Sequence, residues 1–142
     1  EAKTVDKETV IYLQLVLEML ARGFVFYPIE LYTSHSVQFR PENDDGIRIP
    51  LCCLPGVGKG VARTIYLTVK RLQRQFISQE DLLSGCRQTE QLIEAKKARR
   101  EPLLPEEEGL GHVGQTALEA LAAYGALGEM SVSNQIDLFG GF

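Results

Sequence analysis

The chain has 142 residues, 44% hydrophobic, 24% charged and 8% aromatic, the makeup of an ordinary globular domain long enough to bury a core without disulfides. No apolar run approaches the roughly 20 residues of a membrane span. Three cysteines, two adjacent at Cys52 and Cys53 and none in a Cys-x-x-Cys pair, exclude a disulfide framework and a zinc site.

The net charge of −4 argues against a nucleic-acid partner only if it is evenly spread. Residues 1–58 carry 5 basic and 8 acidic side chains, 59–100 carry 10 and 4, and 101–142 carry none and 7. A basic middle between acidic ends suits a local polyanion-binding surface, although a solvated helix face gives the same count. The chain opens at Glu1 without a methionine or a charged-then-apolar leader. The expectation is a segment of something longer, without a secretory signal, in a reduced cytoplasmic setting.

Residues 4–23 read as a helix, with Val10, Leu13, Leu17, Leu20 and Phe24 on one apolar stripe and Gly23 as its stop. Residues 24–32 are aromatic and β-branched, hence extended, with Pro28 at an edge or bend. A hairpin follows: 37–40 and 47–49 alternate around a turn at 41–46. The cluster Phe24, Phe26, Tyr27, Tyr32 and Phe39 is expected to form the core of this sheet, and Cys52 and Cys53 to be small core residues.

Residues 59–74 form a second helical block. Ser78-Gln79-Glu80-Asp81 resembles a capping box opening a short helix that Gly85 closes. Residues 89–100 make another helix, ending in Lys96, Lys97, Arg99 and Arg100, where the helix dipole favours cations. Pro102, Pro105 and Glu106 to Glu108 mark a loop. Residues 116–124 make a last helix, with Glu119 placed for a capping box and Gly125 as its stop. Beyond Met130 the chain reads as a mobile tail.

Leu54-Pro55-Gly56-Val57-Gly58-Lys59-Gly60 is the most informative stretch. A Walker loop would need glycine at 53 and Ser or Thr at 60; Cys53 and Gly60 stand there. A dinucleotide fingerprint would need glycine at 61, which is Val61. What remains is a tight Gly56-Val57-Gly58 turn running into a helix. This is the helix-hairpin-helix pattern, in which Val57 plugs into the core and the amides of Gly58, Lys59 and Gly60 grip a DNA phosphate.

At about 100° per residue, with Lys59 at zero, Arg63, Lys70 and Arg74 fall near 40°, 20° and 60°. Val61, Ala62, Ile65, Val69 and Leu72 take the roughly opposite face. No acid interrupts the block, whereas a solvated helix usually mixes signs at i, i+4. Such a grip reads no bases, so it is sequence-independent and salt-sensitive.

Gly111-His112-Val113-Gly114 echoes the first loop, but its helix has no Lys or Arg and carries Glu119, so a packing role is expected. His35 and His112 have no ligand-spaced partners and read as loop residues, not metal ligands. Near the end, Gln135-Ile136-Asp137-Leu138-Phe139 is an apolar cluster flanked by small residues. It either tucks onto the domain or places Leu138 and Phe139 in a partner's pocket.

With these features in place, the chain resembles the C-terminal region of PolC-type bacterial replicative DNA polymerases. The matching runs are residues 21–32, Ser34, Phe39, Ile49-Pro50, 54–58, 76–82, 121–127 and 133–139. The resemblance implies tandem helix-hairpin-helix elements that hold duplex DNA behind an active site lying upstream. Here Gly56, Val57, Gly58, Lys59, Gly60 and Arg63 match the first of these; Lys70 and Arg74 extend its cationic strip. It also implies that Gln135, Ile136, Asp137, Leu138 and Phe139 form a hook for the sliding clamp. Residues 88–111 exceed the family's usual connection, and Gly140-Gly141-Phe142 extends past the hook.

The expected fold is α+β and mostly helical: a helix plus β-hairpin subdomain over 1–50, a helix-hairpin-helix duplex-binding region over 51–128 with an insertion near 88–111, and a flexible tail over 129–142. No catalytic or metal residue and no cofactor is expected in the segment; by resemblance the parent polymerase uses Mg. The partners that the resemblance implies are duplex DNA and the clamp, and no membrane is expected. A free-standing helix-hairpin-helix module of repair or DNA uptake would lack the hook. A helix-hairpin-helix DNA glycosylase would need a catalytic Asp soon after the helix, where the first acids are Glu80 and Asp81. A protein-interaction domain with a decayed hairpin would have no duplex affinity.

Overall fold

The computed structural model describes residues 7–132 as four helices and a small sheet. Helix α1 spans Lys7–Ala21; strands β1, β2 and β3 span Val25–Tyr27, Arg40–Glu42 and Gly46–Arg48. Helices α2, α3 and α4 span Lys59–Leu72, Gln79–Ala98 and Gln115–Ala123, with short 3-10 turns at Leu51–Cys53 and Pro105–Glu107. The strand order is β1-β3-β2, with β1 parallel and β2 antiparallel to β3. Among the described residues no helix is long and apolar enough to cross a membrane.

The hairpin's first strand begins three residues later and ends two later than the pattern predicts, at Arg40–Glu42, and β3 begins one residue earlier, at Gly46, so the turn narrows to 43–45 with Asn43 at φ 53°. Asn is among the few side chains that tolerate that left-handed conformation. The aromatic cluster is not a buried sheet core. Phe24, Tyr32 and Phe39 are exposed and Phe26 and Tyr27 are half-buried, because three-residue strands have too little face to cover five rings. Tyr32 instead stacks on Phe76, and its hydroxyl accepts a hydrogen bond from the Phe76 amide (2.8 Å). Cys52 is half-buried and packs against the core as expected, whereas Cys53 is exposed and is not a core residue.

The core lies between α2, α3 and α4. Ala62 and Ile65 of α2, Leu82 and Cys86 of α3, and Leu118 and Leu121 of α4 are essentially inaccessible, with Leu31, Leu51, Leu54 and Val57 closing one end. The glycine expected to stop a helix at 85 lies inside α3, and the two helices expected over 78–100 are one. A side chain at Gly85 would sit 3.1 Å from Thr68 Cγ2 and Leu72 Cδ1; its bareness lets α3 press against α2. The Thr68 and Thr89 hydroxyls meet across that contact at 2.8 Å, each also reaching the carbonyl one turn back. That packing outweighs the roughly 1 kcal/mol helix penalty of a glycine.

Ser78 caps α3 as expected, its Oγ accepting from the Asp81 amide at 3.0 Å. The Asp81 carboxylate reaches back to the Ile77 amide. Helix α4 starts one residue earlier than predicted, at the Gly114 cap with no side-chain cap bond, so Glu119 completes no capping box. Gly125 ends it at φ 77°, a conformation that glycine adopts freely. Ser131 and Val132, which the sequence leaves to the tail, are fixed: their carbonyls accept the Gln79 and Glu80 amides at 2.8 and 3.1 Å, covering the N-terminus of α3.

Candidate nucleic-acid interface

The entry to α2 is built by a tight turn. Pro55 and Gly56 occupy the centre of residues 54–57, with Gly56 at φ 87° and the Val57 amide donating to the Leu54 carbonyl at 3.1 Å. Pro followed by a positive-φ glycine is the type II arrangement. Leu54 and Val57 are buried on either side, so the turn is anchored in the core as the sequence predicts.

Gly58 caps α2 in an extended conformation (φ −78°, ψ 170°), its carbonyl accepting the Ala62 amide at 2.9 Å. It therefore does not need positive φ, and a Cβ there would meet nothing within 4 Å. Gly60 carries the close backbone approach instead. Its carbonyl accepts the Gly111 amide at 2.9 Å, and a Cβ on it would lie 3.1 Å from that nitrogen. Thr64 Oγ1 donates to the Gly111 carbonyl at 2.7 Å, locking the two loops together.

The amides of Gly58, Lys59 and Gly60 have no acceptor among the described residues, and the first turn of α2 holds no acid. Gly58 and Lys59 are exposed and Gly60 is half-buried. Exposed donors at the positive end of a helix form an anion-binding arrangement.

The cations divide. Lys59 has no ion-pair partner among the described residues. Arg63 is half-buried, its guanidinium lying against Gly109. Lys70 faces Glu106 at 3.6 Å. Arg74 leaves the strip: α2 ends at Leu72, Gln73 turns left-handed at φ 49°, and Arg74 makes two bonds to Asp81 (2.7 and 3.0 Å) over the Phe76 ring. That pair raises the Arg74 pKa and holds the Asp81 carboxyl below its ordinary range. On the opposite face Ala62 and Ile65 are buried and Val61, Val69 and Leu72 half-buried, as the angles require.

Helical angles missed a second set of groups. Arg40 on β2 joins Lys70 in depressing the His35 pKa, whose largest cause is burial. His35 and Arg63 line one cleft. Nothing in the linear pattern links a strand residue at 40 with a helix residue at 70.

The second loop shares with the first an extended glycine cap and a buried valine, but it lacks the positive-φ turn of Gly56 and differs in chemistry. Gly114 caps α4 at φ −105°, ψ 176°, and Val113 and Leu121 are buried as Val57 and Ile65 are. The Glu90 carboxylate of α3, however, accepts the Val113 amide (2.8 Å) and pairs with Arg87 and His112. A carboxylate thus sits at this loop, and Glu119 is exposed on α4. The residues Gln135, Ile136, Asp137, Leu138 and Phe139 lie outside the described residues.

No protein-family model matches the chain. It is similar to proteins described as DNA polymerase III PolC-type. That of Clostridium perfringens is 33% identical over 135 residues, covering 95% of this chain and 7% of the relative. That of Halalkalibacterium halodurans is 32% identical, covering 98% and 8%. That of Streptococcus thermophilus is 30% identical, covering 100% and 8%. The chain thus spans less than a tenth of the length of the curated relatives it matches.

Proposed function

From a chain homologous along its length to a small part of PolC-type DNA polymerase III, we propose a duplex-binding and clamp-tethering segment of a replicative DNA polymerase. One observation carries the reading: unpartnered amides at the start of α2 share their side of the molecule with Lys59, and Arg63 lies one turn on. In a helix-hairpin-helix arrangement these amides take one phosphate oxygen, and Lys59 and Arg63 neutralise the charge beside it. Neither group reaches base edges in this mode, so the grip serves any sequence, as a polymerase moving along its template requires.

Lys70 belongs to the same face; Arg74 is engaged by Asp81 and is left out of the proposal. The second loop acts in packing, its Val113 amide held by Glu90. Gln135 to Phe139 would be the clamp hook. The chemistry of such a polymerase, and the cytoplasmic setting in which it works, belong to the longer protein. Its magnesium finds no fitting residues in this segment: among the described residues no group of three or more His, Cys, Asp or Glu could hold a metal.

The test is duplex binding followed by fluorescence anisotropy across a salt series. For about three phosphate contacts, log K against log salt has a slope near −2.7. Lys59→Ala with Arg63→Ala weakens all duplex sequences alike; a slope near zero overturns the reading. Separately, deleting 135–142 abolishes binding to a purified bacterial sliding clamp and leaves duplex affinity unchanged. Retained clamp binding would remove the tail from the proposal.

A further inference from the structure

The cleft between the loop at 35–38 and α2 has a volume of about 250 Å³ and is lined by His35, Gln38, Arg63, Tyr66 and Glu106, among others. Its donors come from three elements. His35 Nδ1 accepts the amides of Val37 and Gln38 (3.1 and 3.0 Å), so the ring's proton sits on Nε2 and the imidazole is a neutral donor. The ring tilts against Tyr66 at 4.6 Å, which fixes its plane. Arg40 and Lys70 are near enough to oppose its protonation, and Arg63 enters from α2. Arg63 and a neutral N–H donor thus line the cleft, Lys70 stands at its edge through Glu106, and Arg40 of β2 adds positive charge near His35.

One anion already stands there. Glu106 pairs with Lys70 at 3.6 Å and lines the cleft. Its position is imposed by its neighbour: Glu107 is buried, bonds to Lys96 Nζ at 2.7 and 3.0 Å, and accepts the Leu104 amide. The 3-10 turn Pro105–Glu107 is therefore pinned, and Glu106 is presented to the cations.

We propose that this cleft is a second site for a backbone phosphate of duplex DNA, with the Glu106 carboxylate as its resident competitor. The inference rests on the duplex-binding reading above and extends it. Lys70 lies eleven residues beyond Lys59, about 16 Å along the helix axis, too far for both to serve one phosphate. A phosphate entering here displaces Glu106 from Lys70 and gains Arg40, which no angle on α2 brings to the site. The carboxylate lowers affinity, a useful trait in a protein that must release one stretch of duplex to hold the next.

The experiment measures affinity of the full 142-residue chain for a mixed-sequence duplex across a salt series, with thermal melting as the folding control. Glu106→Gln tightens binding roughly three- to tenfold and steepens the slope by about 0.9, as Lys70 now exchanges a counterion for phosphate. Arg40→Ala weakens binding and makes the slope shallower by about the same amount. Glu119→Gln removes an equal charge from α4 and sets the scale of a general electrostatic effect. Equal tightening by Glu106→Gln and Glu119→Gln overturns the inference, as does an unchanged slope in Arg40→Ala. If Lys59→Ala weakens binding while neither Arg40 nor Glu106 matters, this inference alone fails. If the wild-type chain shows no salt-dependent binding, the duplex reading fails and takes this one with it.

Discussion

Lys59 and Arg74 carry the same charge near opposite ends of one helix, yet they have different physical roles. Lys59 stands exposed beside unpaired amides; Arg74 is bonded to Asp81 and lies over Phe76 at 4.9 Å. The second arrangement is a stability device with a definite pH dependence. Asp81, bonded by Arg74, and Glu107, bonded by Lys96, have carboxyls held below their ordinary 3.8 and 4.5. Their stabilisation is complete above those values and is lost as pH falls through the lower folded ones. His35 is depressed below 6.5, by burial first and then by Arg40 and Lys70, so its protonation opposes folding from about that pH downward. Melting temperature should therefore be level between about pH 7 and 8, decline first through the histidine range as pH falls, and fall again below about pH 4.5. Arg74→Ala should lower it at pH 7 and flatten the lower fall. Melts between pH 7 and 3 check both; an unchanged lower limb in Arg74→Ala would show that Asp81 owes its shift to something else.

At the scale of elements, α3 shows how packing overrides a local signal. Gly85 reads as a stop because glycine so often ends helices at positive φ, but here it keeps helical geometry and removes a side chain where Thr68 and Leu72 approach. The α3 N-terminus depends on distant chain in the same way. Ser78 supplies the local cap, while Ser131 and Val132 accept the next two amides from more than fifty residues away. A chain ending at Met130 should melt several degrees below one ending at Val132, since two helix donors lose their acceptors at about 1 kcal/mol each. Equal melting of the two would mean that water replaces those carbonyls without cost.

At the scale of the whole molecule, α1 stands apart. Its stripe of Val10, Leu13, Leu17 and Leu20 is exposed, Leu17 at 65%, and Ile11, Tyr12 and Leu15 are exposed as well. An apolar surface of this kind drives association. Sedimentation should show the chain self-associating with concentration, and Leu13→Lys with Leu17→Lys should hold it monomeric without lowering its melting temperature; a large drop in melting would mean that α1 supports the core after all.

The periodicity that marks α1 as a helix is a property of neighbouring residues and was legible in the sequence; what covers its stripe is a matter of three-dimensional neighbours and was not. The same division runs through the candidate interface. The run from Leu54 through Leu72 determined by itself a core-anchored turn, a helix beginning at Lys59, and cations opposite the α2 apolar face, because spacing fixes φ preference and angle within one element. Only the tertiary structure decided that Gly60 is bare for the sake of Gly111, that Arg74 is withdrawn by Asp81, and that Arg40 joins Lys70 around His35. Contacts between elements depend on how their faces pack, and no local pattern encodes that.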